Sequence, residues 1–320
     1  MDDNILFHIE KKLNVNVHKV EKVKRGRREL QDCYTIYTEE DEKYFLKFNR
    51  MARSKAHRIV RMMFGNPGFD RQLKVYEILG NYKFNVFQYP KMIHTDGKSY
   101  IILEYIEKTN TDITEKYKSA LVKSFADLHT ANLSIGNING RLGIFLLNLS
   151  ITIEFSLLKS VAPLLKYCGL RPTLRYLKII ISGYVKQNKM DDTVVLHNDL
   201  HRNNVFVSKT GNIYVTDFEG LKNERRWLYT DIATYSVDTA KYCIDTDLLK
   251  KYVNIMKNKF ADYEIDHAVQ LRIGLLSRVS RFMYFKPTSD HVREKYKKYF
   301  LNTLLDDNNY YRWYRDSIEN

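Results

Sequence analysis

The chain has 320 residues, 44% of them apolar, which is enough to bury a substantial core and excludes a disordered segment. Its 52 basic and 38 acidic side chains leave a net charge of +14, which favours anionic partners: nucleotides, sugar phosphates, nucleic acid or an acidic membrane surface. The longest apolar runs, around Ile179–Ile181 and Ile144–Leu147, fall far short of the ~20 residues of a membrane span. The first residues lack a signal-peptide pattern, and three isolated cysteines, Cys33, Cys168 and Cys243, form no metal or redox motif. A reducing, cytoplasmic setting is expected.

Along the chain, the first fifty residues read as strands. Val15 to Val23 partly alternates, a basic turn Lys24 to Arg28 follows, then Asp32 to Thr38, an acidic turn, and Lys43 to Phe48. The apolar spacing of Phe69 to Leu79 predicts a helix. Phe84 to Ile93 and Ser99 to Ile106 read as strands around a turn at His94 to Gly97. After Glu107 the texture turns helical: Ile113 to Asn132, Ile153 to Tyr167 and Leu174 to Gln187. Further helices are expected over Trp227 to Val237, Asp247 to Phe260, Asp266 to Tyr284 and His291 to Leu305. Strands first and helices after predict an α+β fold with a sheet-rich lobe over 1–107 and a helical lobe over 108–320.

The stretch between the two helical runs carries the chemistry. His197, Asp199 and Asn204 stand in an H-x-D-x-x-x-x-N pattern, and Asp217 follows thirteen residues after Asn204. Val205 to Val207 and Ile213 to Val215 flank the turn Lys209 to Asn212 and read as a hairpin. A hairpin of that length can return Asp217 to Asn204. Phosphoryl transfer uses such a set: one Asp orients the acceptor hydroxyl, while an Asn and a second Asp hold Mg²⁺ on the phosphates.

Asp199 is the candidate catalytic base, with Asn204 and Asp217 as the metal pair. Any of the three alone would be read as a turn or cap residue; their combination points to chemistry. His197, in the same loop, reads as a residue that fixes it by bonding backbone near Asp217. His201 is either an exposed loop histidine or a contact to phosphate or acceptor. Asp231, at a helix start, reads as a cap or a brace for the loop. Lys47 lies within a strand and can reach the α- and β-phosphates. The turn from Val23 to Leu30 contains only Gly26, so it is neither a Walker A loop nor a full G-x-G-x-x-G loop. Its amides, with Arg25, Arg27 and Arg28, can still cover phosphate.

These residues resemble the aminoglycoside phosphotransferase and choline kinase superfamily, the small-molecule branch of the bilobal protein-kinase-like fold. The likeness is strongest from Leu196 to Asp217 and continues to Asp231. It is weaker over Tyr44 to Phe48, Phe69 to Leu79, Ile101 to Glu107 and Ser124 to His129. It implies that Lys47 binds nucleotide phosphate, that Glu104, Tyr105 and Ile106 hold adenine through backbone groups, and that Asp199, Asn204 and Asp217 act as above. The implied cofactors are ATP and Mg²⁺; the hinge does not discriminate ATP from GTP. Protein kinases are less similar, since His-Arg-Asp, Asp-Phe-Gly and Ala-Pro-Glu are all missing. The family's helix puts Gln72 where a glutamate partner for Lys47 is expected, which leaves Glu77 or Asp70 as substitutes.

The acceptor is read only from charge. Residues 272 to 315 hold ten Lys or Arg and four Asp or Glu, with Arg272, Arg278 and Arg281 at partly helical spacing. Arg278, Arg281, Tyr284 and Lys286 are candidate contacts. A neutral or anionic hydroxyl compound is expected, such as a sugar, sugar phosphate, amino alcohol or glycan, rather than a polycation. Two alternatives stand beside it: a protein or nucleic-acid kinase, and a nucleotide-binding pseudokinase scaffold.

Overall fold

In this computed structural model the described residues are 3–23, 31–49, 67–109, 115–135, 159–186, 194–224, 228–238, 243–284 and 290–319. In chain order the elements are α1 (Asp3–Leu13), β1 (Val17–Lys22), β2 (Gln31–Thr38), β3 (Lys43–Asn49), α2 (Pro67–Gly80), β4 (Met92–Thr95), β5 (Tyr100–Glu104), α3 (Glu115–His129), α4 (Lys159–Cys168) and α5 (Leu170–Lys186). They continue with β6 (Val194–Leu196), β7 (Val205–Val207), β8 (Ile213–Val215), β9 (Lys222–Glu224), α6 (Thr230–Ser236), β10 (Val237–Asp238), β11 (Cys243–Ile244), α7 (Thr246–Lys259), α8 (His267–Tyr284), α9 (Asp290–Tyr299) and α10 (Asp307–Tyr314). The architecture is α+β, with an N-terminal sheet region and a helix-rich C-terminal region.

The chain divides into two compact units. The first comprises Met1–Lys83, Phe87–Asn110 and Val207–Glu219. Its sheet runs β1-β2-β3-β5-β4, antiparallel throughout, with Lys47 paired to Cys33 on one side and Ile101 on the other. β5 is buried on both faces, as its unbroken apolar run requires. Tyr100 and Ile102 join Ile9, Ile36 and Leu46 in one cluster, while Ile101 and Leu103 join Phe69, Leu73 and Tyr76 in another. α1 therefore covers one face and α2 the other. Each fully buried aliphatic or aromatic side chain contributes about 1.5–3 kcal/mol.

The second unit comprises Phe84–Val86, Thr111–Phe206 and Gly220–Asn320. Its helices bury Leu121, Phe125, Leu164, Tyr252 and Leu275 among others. β6 pairs antiparallel with β9, Val195 opposite Asn223. The Asn223 amide then donates to Leu133 O at 2.7 Å and accepts from Ile135 N at 2.8 Å, which ties the segment after α3 to this pair.

Three local expectations differ from what forms. Residues 3–13 are helical, so the first fifty residues are not all strand. Most of Phe84 to Ile93 is irregular, with a single bridge from Gln88 to Tyr214, and β4 begins only at Met92. Asp96 explains the shifted turn: its Oδ1 accepts from the amides of Lys98, Ser99 and Tyr100, leaving His94 and Thr95 in the strand.

Candidate active site

β3 alternates, so Lys47 points away from Leu46 and toward the α2 face. It is 1% exposed. An isolated ammonium there would lose several kcal/mol of hydration, so a partner is obligatory. That partner is Asp217, just after β8 and 170 residues along the chain, whose Oδ1 accepts from Lys47 Nζ. Both belong to the first unit. Asp70 and Glu77 are exposed on α2 and neither reaches Lys47; the inward position of that helix is taken by Gln72, fully buried. Asp217 adopts φ 62°, a left-handed conformation that costs a non-glycine residue about 1–2 kcal/mol.

The segment after β5 is fastened at its far end. Glu107 pairs with Lys43 at 2.8 Å and Lys209 at 2.6 Å. The Lys209 hydrogen bond, then that of Lys43, draws its carboxyl down to about 2. Lys209 N donates to Glu107 O and Thr109 N to Val207 O, both at 3.0 Å. Tyr105 and Ile106 lie half-buried between these ties and β5. β8 is held in turn by Gln88, whose N donates to Ile213 O and whose O accepts from Val215 N. Phe218, fully buried beside Asp217, meets the Tyr89 ring edge-on at 6.2 Å. The Tyr89 hydroxyl donates to the carbonyls of Leu79 and Tyr82, anchoring that contact to the end of α2.

In the second unit the loop that carries Asp199 follows β6, which is buried at all three residues. Asn198 takes φ 65°, a left-handed turn that Asn tolerates better than most residues. The turn is pinned from beneath. Asp231, 1% exposed in the first turn of α6, accepts from His197 N at 2.6 Å and Asn198 N at 2.9 Å. Its Oδ2 also lies 3.1 Å from His129 Nε2, and His129 Nδ1 lies 2.5 Å from the Tyr252 hydroxyl. Burial, then the charges of Tyr229 and Asp231, hold the Tyr252 phenol protonated. It therefore donates to Nδ1 and leaves Nε2–H for Asp231. Burial pushes the Asp231 carboxyl upward, but the hydrogen bonds from His129 and the His197 backbone outweigh it, and the carboxyl stays below its usual value.

Above this buried support lie the candidate groups of the loop. The Asp199 side chain is 64% exposed, with His201 Nε2 3.6 Å from its Oδ2. His201 Nδ1 accepts from Asn203 N at 3.2 Å, which directs Nε2–H toward Asp199. Asn204 is 4% exposed, and its Nδ2 donates to Asp199 O at 3.0 Å. Gly220 closes the loop from the other side. A Cβ there would stand 2.6 Å from His197 O, so only glycine fits.

Among the C-terminal arginines, Arg272 is a clamp and not an open cation. It is 4% exposed, donates to Leu304 O at 2.8 Å and Asp307 Oδ1 at 2.6 Å, and lies over the Tyr310 ring. Arg278 is half-buried. Gly26, Arg25, Arg27, Arg28 and Lys286 lie outside the described residues, as do the side chains of Arg281 and Tyr284. A cavity of about 480 Å³ on α9 is lined by His291, Lys295, Lys298 and Leu301, none of them in the catalytic loop. Sequence reasoning did not find the roles of Glu107, Tyr89 or Tyr252. His129 carried a signal, a polar residue closing an otherwise apolar helix face.

No protein-family model matches the chain, and no curated protein sequence does either. Solved structures do. The ADP-bound aminoglycoside phosphotransferase APH(2″)-Ib is 17% identical, with 96% of this chain and 97% of that one covered and a TM-score of 0.56. The streptomycin–ATP ternary complex of APH(2″)-IIa is 15% identical over 95% and 97%, with a TM-score of 0.58. A putative fructosamine-3-kinase from Haemophilus somnus is 16% identical over 94% and 97%, with a TM-score of 0.52. The chain thus has the α+β protein-kinase-like fold of the aminoglycoside phosphotransferases.

Proposed function

We propose that this protein is an ATP- and Mg²⁺-dependent phosphotransferase acting on a hydroxyl of a small molecule or glycan. The observation that carries the reading is the buried Lys47–Asp217 pair, a strand lysine joined to the carboxylate that follows the catalytic hairpin. Phosphoryl transfer needs little covalent help from protein; it needs charges aimed at phosphate and an oriented acceptor. Lys47 supplies the first. Asp199, exposed with the His201 ring beside it, accepts the proton of the acceptor hydroxyl as its oxygen bonds the γ-phosphorus and the bond from that phosphorus to the ADP oxygen breaks. Tyr105 and Ile106 hold the base through backbone groups.

Mg²⁺ is hard, keeps several waters and takes only one or two protein ligands beside phosphate oxygens. An Asn oxygen and an Asp oxygen, from Asn204 and Asp217, fit that donor set. Bound there, the ion would neutralise charge building on the transferred group. Lys47, which meets the Asp217 carboxylate, would supply positive charge to the nucleotide phosphates. No cluster of three or more His, Cys, Asp or Glu suited to a metal occurs among the described residues, so a site built from protein ligands alone is not the reading.

The acceptor is neutral or anionic in this reading, because the C-terminal helices carry surplus positive charge. The solved relatives by fold include complexes with gentamicin and streptomycin; the charge of this chain argues against such cations here. Free Cys33, Cys168 and Cys243 support a reducing, cytoplasmic setting. A transfer screen of labelled ATP over sugars, sugar phosphates, choline, aminoglycosides, RNA and proteins tests the proposal, with Asp199→Ala as control. Incorporation into one hydroxyl class, lost in the variant, is expected; equal turnover by the variant defeats it. Buried Gln72 in place of an acid favours one second reading, a nucleotide-binding pseudokinase. Nucleotide affinity indifferent to Mg²⁺ would select it.

A further inference from the structure

Helix α5 buries one face and leaves an apolar ridge on the other. Thr173 and Tyr176 are buried, and the Tyr176 ring lies 6.1 Å from Phe300. Leu170, Leu174 and Ile181 are 64%, 56% and 55% exposed. At the helical repeat these three fall within an arc of about 40°. Leu165 of α4, 43% exposed, adds a fourth across the turn at Gly169. That turn needs glycine: φ is +85°, and Gly169 N caps α4 by donating to Leu164 O and Leu165 O. Single exposed leucines are ordinary, but a ridge of them on one helical hairpin marks a docking face.

Charge selects what docks. From Lys159 to Lys186 there are six Lys or Arg and no Asp or Glu. Lys166, Arg171, Arg175 and Lys178 are exposed, and the last three lie on the sector of α5 beside the ridge. Asp306 and Asp307 lie 3.9 and 3.8 Å from Arg175, a solvent-exposed arrangement with little hold. Arg293 of α9 is stacked over Tyr167 at 4.9 Å and is paired with Asp290, so the basic rail rests on α5. A second copy docking by the same patch would oppose like charges. An apolar ridge beside a basic rail suits a helix lying in a membrane interface.

We propose that α4 and α5 dock on the surface of an anionic phospholipid bilayer. Leu165, Leu170, Leu174 and Ile181 enter the boundary between headgroups and acyl chains, and the neighbouring arginines and lysines meet lipid phosphate. No helix among the described residues is long and apolar enough to cross a membrane, so the element lies on the surface. The proposal stands independently of phosphotransfer.

Vesicle co-sedimentation of the full chain tests it. Phosphatidylcholine vesicles carrying phosphatidylglycerol should bind the protein, pure phosphatidylcholine should bind it far less, and high salt should release it. The triple variant Leu170→Ser, Leu174→Ser, Ile181→Ser should bind about tenfold more weakly or worse. Arg171→Glu with Lys178→Glu should abolish the preference for anionic vesicles. Both variants should keep the wild-type circular dichroism and Mg²⁺-ATP affinity, since they leave Lys47 and Asp217 untouched. Equal binding by wild type and the triple variant would overturn the proposal. So would equal binding to neutral vesicles, or a wild-type dimer that the triple variant dissolves.

Discussion

Asp217 and Asp199 are handled in opposite ways. Asp217, 22% exposed, is set against a fully buried lysine in the sheet-built unit. Asp199, 64% exposed, projects from a loop of the helical unit, and burial is reserved for what lies beneath it: Asp231, His129 and Tyr252. In the first unit the charged groups themselves hold the local structure. In the second the Asp199 carboxylate is largely exposed, with His201 beside it, and Asp231 beneath bonds the loop's backbone amides and the His129 ring. In the proposed roles, a lysine that meets charged phosphate gains from a pre-set partner, and a carboxylate that accepts a proton gains from an accessible position on a rigid base.

The contrast breaks most sharply at Asp199. Asp199→Ala should lower phosphate transfer by about 10³-fold or more, with thermal stability and nucleotide affinity near wild type. Loss of stability comparable to that of a core substitution would show that the loop depends on this side chain after all. Next in size, Lys47→Ala should cut Mg²⁺-nucleotide affinity and destabilise the first unit by about 3 kcal/mol, because it leaves a partly buried carboxylate without its cation. Calorimetric titration together with urea unfolding separates the two effects.

Asp231→Asn should cost about 3 kcal/mol of stability in urea unfolding, since an amide cannot accept from His197 N, Asn198 N and His129 together. Turnover should fall with it while nucleotide affinity is spared, the reverse of the Lys47 pattern. Gly220→Ala is a gentler version of the same test. Its Cβ must displace the His197 carbonyl, for about 2 kcal/mol, and kcat should drop more than KM rises.

The smallest effects are read in pH. The Tyr229 hydroxyl donates to His267 Nδ1, and burial, then Lys257, pushes His267 down to about 4 from 6.5. The unfolded chain binds the extra proton first, so the neutral ring's contribution is complete above pH 6.5 and is lost as pH falls toward 4. Glu107, drawn to about 2 from 4.5, acts in the window below: its contribution is complete above 4.5 and fades toward 2. Unfolding midpoints against pH should lose the upper slope in His267→Gln and the lower one in Glu107→Gln.

What could be seen in advance follows how local each signal is. β3, β5, α2, the β7–β8 turn and the long C-terminal helices announce themselves through periodicity of 2 or 3.6 and through Lys209 to Asn212. The Lys47–Asp217 pair was not readable as a contact, because nothing in a strand's pattern says which carboxylate will meet its lysine. Gln72 drew attention to α2, where no acid turned out to face inward. α1 was missed because Asp3 to Leu13 mixes charge and apolar residues in a short amphipathic run that only its packing on the sheet makes stable. The Asp96 turn defeated the reading of His94 and Thr95 through three side-chain hydrogen bonds invisible to a hydropathy pattern.

The 170 residues between Lys47 and Asp217 also set an order of events during synthesis. At about 5–20 residues per second, Asp217 leaves the ribosome roughly 10–30 s after Lys47. The sheet strands β1 to β5 emerge complete well before the β7–β8 segment that finishes their unit. Until then the lysine at the centre of the sheet lacks the carboxylate that meets it in the finished unit, so this part of the sheet gains its final stability late in synthesis.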